Sequence, residues 1–375
     1  MRLIKNSQQI TQLILAALLL TIVQYESFAC TSFVLKGGGR QYLAKNLDWH
    51  CGQGYLIYNP KSVIKYSFSH KENNISWISK YISITFNQFG VGFPLGGMNT
   101  AGLIIESLNA PGSGGVHKDQ AILNEFQWIQ YQLDNHSDVA GVINNIKTIG
   151  VKPLIQNLHY IIMDIQGNVA IIEIINGEFK IYSGDDVRHS VLSNNLYGNS
   201  LKYLKNFIGF GGELPLAESR DSQTRFVTIA DKLKRHSDKV PDKEAAFQLL
   251  SEVSQIDTQW SIVYDNKESR IFFKNARSGK EVQFTFEPGG NSQERYYQYS
   301  DLSNCTKGEN FKEELTPEIN MQLFYRIEES YRRAGISELK LRILKDMFIF
   351  GNENMKREKK QLSHFQVPIA FMHSR

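Results

Sequence analysis

The sequence has 375 residues, 42% hydrophobic and 21% charged, with a formal net charge of +4. That balance describes a globular chain and carries too little positive charge to argue for a nucleic-acid partner. Three cysteines, with no CxxC pair or Cys/His cluster of ligand spacing, give no basis for a zinc site.

The N-terminus decides where the working protein begins. Arg2 and Lys5 form a basic start, Leu13 to Val23 is an apolar run interrupted only by Thr21, and Ser27-Phe28-Ala29 precedes Cys30. This is the three-part pattern of a secretory signal peptide, cleaved after Ala29, and it implies an exported, periplasmic or secreted protein. The run is roughly half of the ~20 residues a membrane-spanning helix needs, so no stable anchor is expected. A lipoprotein junction is the competing reading, because a cysteine follows the cut, but Ser27 stands where an aliphatic residue is usual. The two exclude each other, since a lipidated Cys30 has neither a free thiol nor a free amine. Removing the first 29 residues leaves 346, within reach of one large core. An odd cysteine count in an exported chain pairs one free thiol with one disulfide at most, for which Cys51 and Cys305 are the remaining partners.

From Cys30 onward the pattern predicts strands over 31–36 and 41–46 joined by Gly37-Gly38-Gly39, then over 55–58, 81–86 and 101–106. Apolar spacing predicts a helix over 120–133, and Ser137-Asp138 caps a second. Strands resume over 160–164, 169–175 and 179–182. Beyond Asn194 lies a loop-rich passage, then helices over 225–233 and 243–253 and strands over 261–264, 270–274 and 281–286. Elements in blocks, without strict βαβ alternation, argue for an α+β fold of stacked sheets flanked by helices. Residues 316–375 form a helical extension: Thr316-Pro317 starts a helix with an apolar stripe at Ile319, Leu323, Ile327 and Tyr331, Gly335 stops it, Ser337 begins another, and the charged stretch after Gly351 reads as solvated.

A thiol needs a base to act near neutral pH, and an N-terminal cysteine carries one, because an α-amine titrates at about 7.7 to 8.0. Cleavage after Ala29 would create that amine on Cys30. A conventional pair of Cys51 with His50 is the weaker alternative, since sequence neighbours in a strand point apart.

The chain resembles the choloylglycine hydrolase and penicillin V acylase family of linear amide C–N hydrolases. The matching segments are Cys30-Thr31-Ser32-Phe33, Asn46-Leu47-Asp48-Trp49, Gly97-Met98-Asn99 with Gly102-Leu103, Leu192-Ser193-Asn194-Asn195, Thr224-Arg225-Phe226 and Thr258-Gln259-Trp260, in family order over residues 30 to 290. The resemblance implies a four-layer αββα N-terminal nucleophile hydrolase fold over 30–315, with two antiparallel sheets between helical layers. It implies Cys30 as nucleophile, Asp48 holding its amine and thiol, and Arg225 favouring the thiolate. Asn194 is implied as oxyanion donor, while Asn99 reads equally as a second donor or as a turn residue. Lys45 departs from the arginine common in the family, exchanging a rigid fork for a point charge. The implied substrates are N-acyl amides with an apolar acyl group: conjugated bile acids, phenoxyacetyl-type penicillins or N-acyl homoserine lactones. The chemistry requires no cofactor or metal, and the resemblance suggests a homotetramer.

Overall fold

The computed structural model describes residues 29–68, 75–112, 121–216, 219–236, 239–286, 296–304 and 313–364, with side chains to residue 360. The expected signal peptide before Ala29, and Cys305 with any bridge to Cys51, lie outside the described residues.

In chain order the strands are β1 (Thr31–Gly37), β2 (Arg40–Asp48), β3 (Tyr55–Asn59), β4 (Ile64–Tyr66), β5 (Ser76–Ile78), β6 (Ser83–Asn87), β7 (Gly96–Asn99), β8 (Ile104–Asn109), β9 (Ala121–Leu123) and β10 (Ile149–Val151). They continue as β11 (Leu158–Met163), β12 (Val169–Ile175), β13 (Glu178–Ser183), β14 (Val191–Leu192), β15 (Thr258–Asp265), β16 (Arg270–Asn275), β17 (Glu281–Thr285), β18 (Gln298–Asp301) and β19 (Glu313–Glu314). The helices are α1 (Glu125–Asn135), α2 (Val139–Asn145), α3 (Tyr197–Leu204), α4 (Ser222–Arg235), α5 (Lys243–Glu252), α6 (Pro317–Arg333) and α7 (Glu338–His364).

Two antiparallel sheets carry the architecture, one ordered β14-β1-β2-β15-β16-β17 and the other β13-β12-β11-β8-β7-β6-β3-β18-β19. The β1–β2 hairpin turns at Gly38 and Gly39, whose φ values of 54° and 77° favour residues without a Cβ. The first five residues of β1 are all buried, because one face meets the helices and the other meets the second sheet. Helices α4 and α5 cover the outside of the six-stranded sheet, α1 covers the nine-stranded one, and β1 faces β8 and β11 across the interior. The layers are therefore helix, sheet, sheet, helix, an arrangement within the α+β class.

Three expectations are corrected. The helix expected from residue 120 begins only after Asn124, whose side chain accepts from the Phe126 and Gln127 N–H groups; the apolar residues before this cap form β9, paired with β10. The passage beyond Asn194 contains α3, with Tyr197, Ser200 and Leu204 buried on one side of a mostly polar segment. The charged stretch after Gly351 is not uniformly solvated: it continues α7, and Asn352, Met355 and Glu358 are buried at helical spacing. The start of α6 follows its chemistry, with Thr316 capping the Ile319 N–H, Pro317 in the first turn, and Gly335 beyond the end at φ 79°.

Candidate active site

Strand register assembles the site around the start of β1. Ser32 pairs with Leu192 of β14 and Thr31 with Asn46 of β2, so the same registers, carried on, set Asn194 on one side of Cys30 and Leu47-Asp48 on the other. Cys30 is 5% exposed. Arg225, in the first turns of α4, fastens these strands from the helical side. Its Nε donates to Thr31 Oγ1 (2.9 Å), one terminal nitrogen to the Cys30 carbonyl (3.3 Å) and to Asn194 Oδ1 (2.9 Å), and the other to the Arg220 carbonyl (2.8 Å). A planar guanidinium can hold this many acceptors in one arrangement, which an ammonium cannot.

Asn194 is thereby oriented. Its Oδ1 faces Arg225, and its Nδ2 donates one hydrogen to the Asn109 carbonyl at 3.0 Å. An amide carries two such hydrogens.

Asp48 is completely buried, accepts from the Thr258 hydroxyl at 2.5 Å, and keeps its second oxygen without a hydrogen-bond partner. Burial raises its carboxyl to about 7, against the opposing pull of Thr258 and Arg225. The pairing of β15 with β2 shifts register between Thr258 and Trp260, an irregularity that turns Thr258 onto Asp48. Gln259, at the bulge, donates to the Trp49 carbonyl at 2.6 Å.

With the chain intact through Ala29, burial pushes the Cys30 thiol up to about 11. Lys45 is the largest influence in the other direction, with the Asp48 N–H and Arg225 beside it. Lys45 itself lies between the sheets, paired with Glu106 of β8 at 2.6 Å, and Tyr264 donates to the other oxygen of Glu106 at 2.5 Å. The lysine in place of the common arginine thus has its own buried carboxylate.

Of the six residues expected at the site, Cys30, Asp48, Asn194, Arg225 and Lys45 converge. Asn99 does not. Its amide hydrogens go to the Leu133 and His136 carbonyls (2.7 and 2.8 Å), and its oxygen accepts from the Ala101 and Leu103 N–H groups. It is the turn residue of the β7–β8 hairpin, near the start of β8, whereas Asn194 meets Asn109 at the far end of that strand. At about 3.3 Å per residue the two ends are roughly 17 Å apart. The Cys51 and His50 alternative also separates: Cys51 Sγ donates to Gln53, and His50 packs on Trp49 and Tyr331.

Asn109, Glu106, Tyr264 and Thr258 are the residues sequence reasoning missed. Glu106 had a signal, as a lone carboxylate inside the apolar run Ile104-Ile105-Glu106-Ser107-Leu108. Thr258 stood in a matching segment with no role attached. For Asn109 and Tyr264 only the fold supplies one.

The family model for linear amide C–N hydrolases of the choloylglycine hydrolase family matches residues 30–278. The chain belongs to this family. It is accordingly an enzyme that hydrolyses linear amides. Penicillin V acylase from Agrobacterium tumefaciens is structurally similar at a TM-score of 0.66 and 21% identity, over 76% of this chain and 98% of that one. A variant of conjugated bile acid hydrolase from Clostridium perfringens gives a TM-score of 0.61 at 16% identity, over 75% and 99% of the two chains. A further mutant of that hydrolase gives 0.62 at 17%, over 76% and 100%. These likenesses bear on the fold, which they identify as that of the N-terminal nucleophile hydrolases. No curated protein sequence matches the chain.

Proposed function

We propose that this choloylglycine hydrolase family member cleaves an N-acyl amide through a thioester on Cys30, with the α-amine freed by cleavage after Ala29 as its base. The observation that carries the reading is the convergence of Arg225, Asn194, Asp48 and Lys45 on one buried thiol at the start of β1. A thiol needs a base to act near neutral pH, and the α-amine freed by cleavage is the group whose pKa suits that task.

The thiol passes its proton to the amine, and sulfur attacks the amide carbon. The resulting oxyanion accepts the remaining Asn194 hydrogen. The C–N bond breaks as the ammonium returns a proton to the leaving amine, and a thioester remains. Water then gives a proton to the amine and its oxygen to the acyl carbon; the C–S bond breaks, the acid leaves, and the thiol regains its proton. The unpaired oxygen of Asp48 is the acceptor for the ammonium form of residue 30. Lys45 and Arg225 offset the negative charge on sulfur.

The substrate class is an amide with an apolar acyl part, of the conjugated bile acid, penicillin V or N-acyl homoserine lactone kind. Two of these are supported by the names of the structural neighbours. The reading also has the protein exported, since the amine depends on removal of the leader.

Intact-mass analysis of the exported protein and a hydrolysis panel of the three amide classes test it together. Expected are a chain beginning at an unmodified Cys30, turnover of at least one class, loss of turnover in Cys30→Ala, and retention in Cys51→Ala. A diacylglyceryl adduct on Cys30, or activity surviving Cys30→Ala, would overturn the mechanism.

A further inference from the structure

Glu173 is a lone acidic residue in the apolar strand β12, whose other residues are Val169, Ala170, Ile171, Ile172, Ile174 and Ile175. Beside it on β11 is His159, whose Nδ1 lies 3.3 Å from Glu173 Oε1, and both side chains are fully buried. The second oxygen of Glu173 has no hydrogen-bond partner. A leucine would avoid that orphan oxygen and pack as its neighbours do, so stability by itself gives no reason for an acid at this position. His159 pairs with Leu108 of β8, and Glu106, two residues earlier on the same face, meets Lys45; the acid therefore stands on the sheet face turned to the interior.

What Glu173 holds is the start of α3. Its Oε1 accepts from the Tyr197 N–H at 2.7 Å. Leu196 occupies the capping position of that helix and gives it no side-chain cap, so the acceptor comes from another strand, and an acidic group there also suits the helix dipole. The Tyr197 side chain closes the other end of the same segment. Its hydroxyl accepts from the His189 N–H at 3.1 Å and donates to the His189 carbonyl at 2.9 Å. Residues 189 to 197 thus form a loop shut by one tyrosine, and Asn194 stands within it. Leu192 opposite Ser32 ties the loop to the six-stranded sheet, while Glu173 and the Asn109 carbonyl tie it to the nine-stranded one.

We propose that Glu173 and Tyr197 are positioning residues for the amide hydrolysis, holding the 189–197 loop so that the Asn194 amide meets the developing oxyanion, a role that rests on Asn194 being the oxyanion donor of the proposed mechanism. A donor that acts in the transition state alone governs kcat and leaves KM in place. Its placement matters sharply, because a shift of about 1 Å can cost about 10²-fold in rate.

Glu173→Leu, Tyr197→Phe and Glu173→Gln, each with and without Asn194→Ala, test this in the full exported chain. The substrate is penicillin V, a glycine-conjugated bile acid or an N-acyl homoserine lactone, whichever the parent protein turns over. Expected for Glu173→Leu is a kcat about 10- to 100-fold lower with KM within about twofold, and for Tyr197→Phe a kcat about tenfold lower. Glu173→Gln keeps an oxygen for the Tyr197 N–H and should stay within about threefold of the parent. On Asn194→Ala neither Glu173→Leu nor Tyr197→Phe should lower kcat further, since no amide is left to place. Hydrogen exchange of the 189–197 peptide needs no substrate and should be about tenfold faster in both variants. Tyr197→Phe carries the same test where Glu173→Leu does not fold. A lower Tm with parental kcat in the folded variants, unchanged exchange, or a loss repeated in full on Asn194→Ala would overturn the proposal alone. Parental kcat in Asn194→Ala itself would overturn the role of that residue and the proposal with it.

Discussion

Arg225 joins Cys30, Thr31 and Asn194 through one planar group, so the placement of the expected oxyanion donor depends on a helix and a strand end at once. Removing the Asn194 amide with Asn194→Ala should lower kcat by about 10² to 10³ while leaving the fold intact, as loss of one oxyanion donor does elsewhere. Asn99→Ala should do the reverse. It forfeits four hydrogen bonds in a buried turn, so urea denaturation should show a loss of about 1 to 3 kcal/mol, with kcat of the folded fraction unchanged. The comparison separates the asparagine expected as oxyanion donor from the one that the structure places in a turn. Asp48 adds a pH signature. Its carboxyl is raised from 3.8 to about 7 in the folded chain with Ala29 attached, so the native state holds the proton more tightly than the unfolded state does. Stability from this group is therefore greatest below pH 4 and falls as pH rises through 7. In a chain with cleavage blocked, Asp48→Asn should remove that part of the decline, measured as urea midpoints from pH 4 to 8.

At the scale of elements, β2 serves two purposes: Lys45 enters the space between the sheets, and Asp48 at its end meets Thr258 across the irregular β15 pairing. The Lys45–Glu106–Tyr264 group is buried on all sides, so breaking it from one end strands a charge. Lys45→Met alone should cost about 3 to 5 kcal/mol, and Glu106→Leu a similar amount, while the double variant should cost less than either. A double-mutant cycle of chemical denaturation measures the difference, and additive costs would mean that the two side chains do not act as a pair. The same cycle read as kcat against pH would register the lysine as a positive charge near Cys30, an effect that packing alone does not produce.

At the scale of the whole molecule, the C-terminal helices are part of the core. Leu323, Phe324, Ile327 and Tyr331 of α6 are buried, as are Leu344, Met347 and Phe348 of α7. Each apolar side chain of this kind is worth roughly 1.5 to 3 kcal/mol when fully buried. Tyr331 also accepts from Trp49 Nε1 at 3.0 Å, one residue from Asp48. A chain ended at Leu315 should therefore lose cooperative thermal unfolding by circular dichroism. Tyr331→Phe should fold and melt a few degrees lower.

What could be read from the sequence by itself was whatever is local or carried by a matching segment. Periodicity marked the strands around Cys30, the caps of α2 and α6, and the stripe of α6, because strand alternation, caps and turns act over a few neighbouring residues. The ordered segments pointed to Cys30, Asp48, Asn194 and Arg225 together. Tertiary structure alone decided which asparagines stand near the thiol, since Asn99 and Asn109 lie toward opposite ends of β8 and differ in what packs there, Leu133 and His136 against Asn194. It also supplied Glu106 as the partner of Lys45, and it placed Glu358, drawn from a charged helix, in the core. Charges on separate elements acquire meaning only when folding sets them side by side without water, where each must find a counterpart.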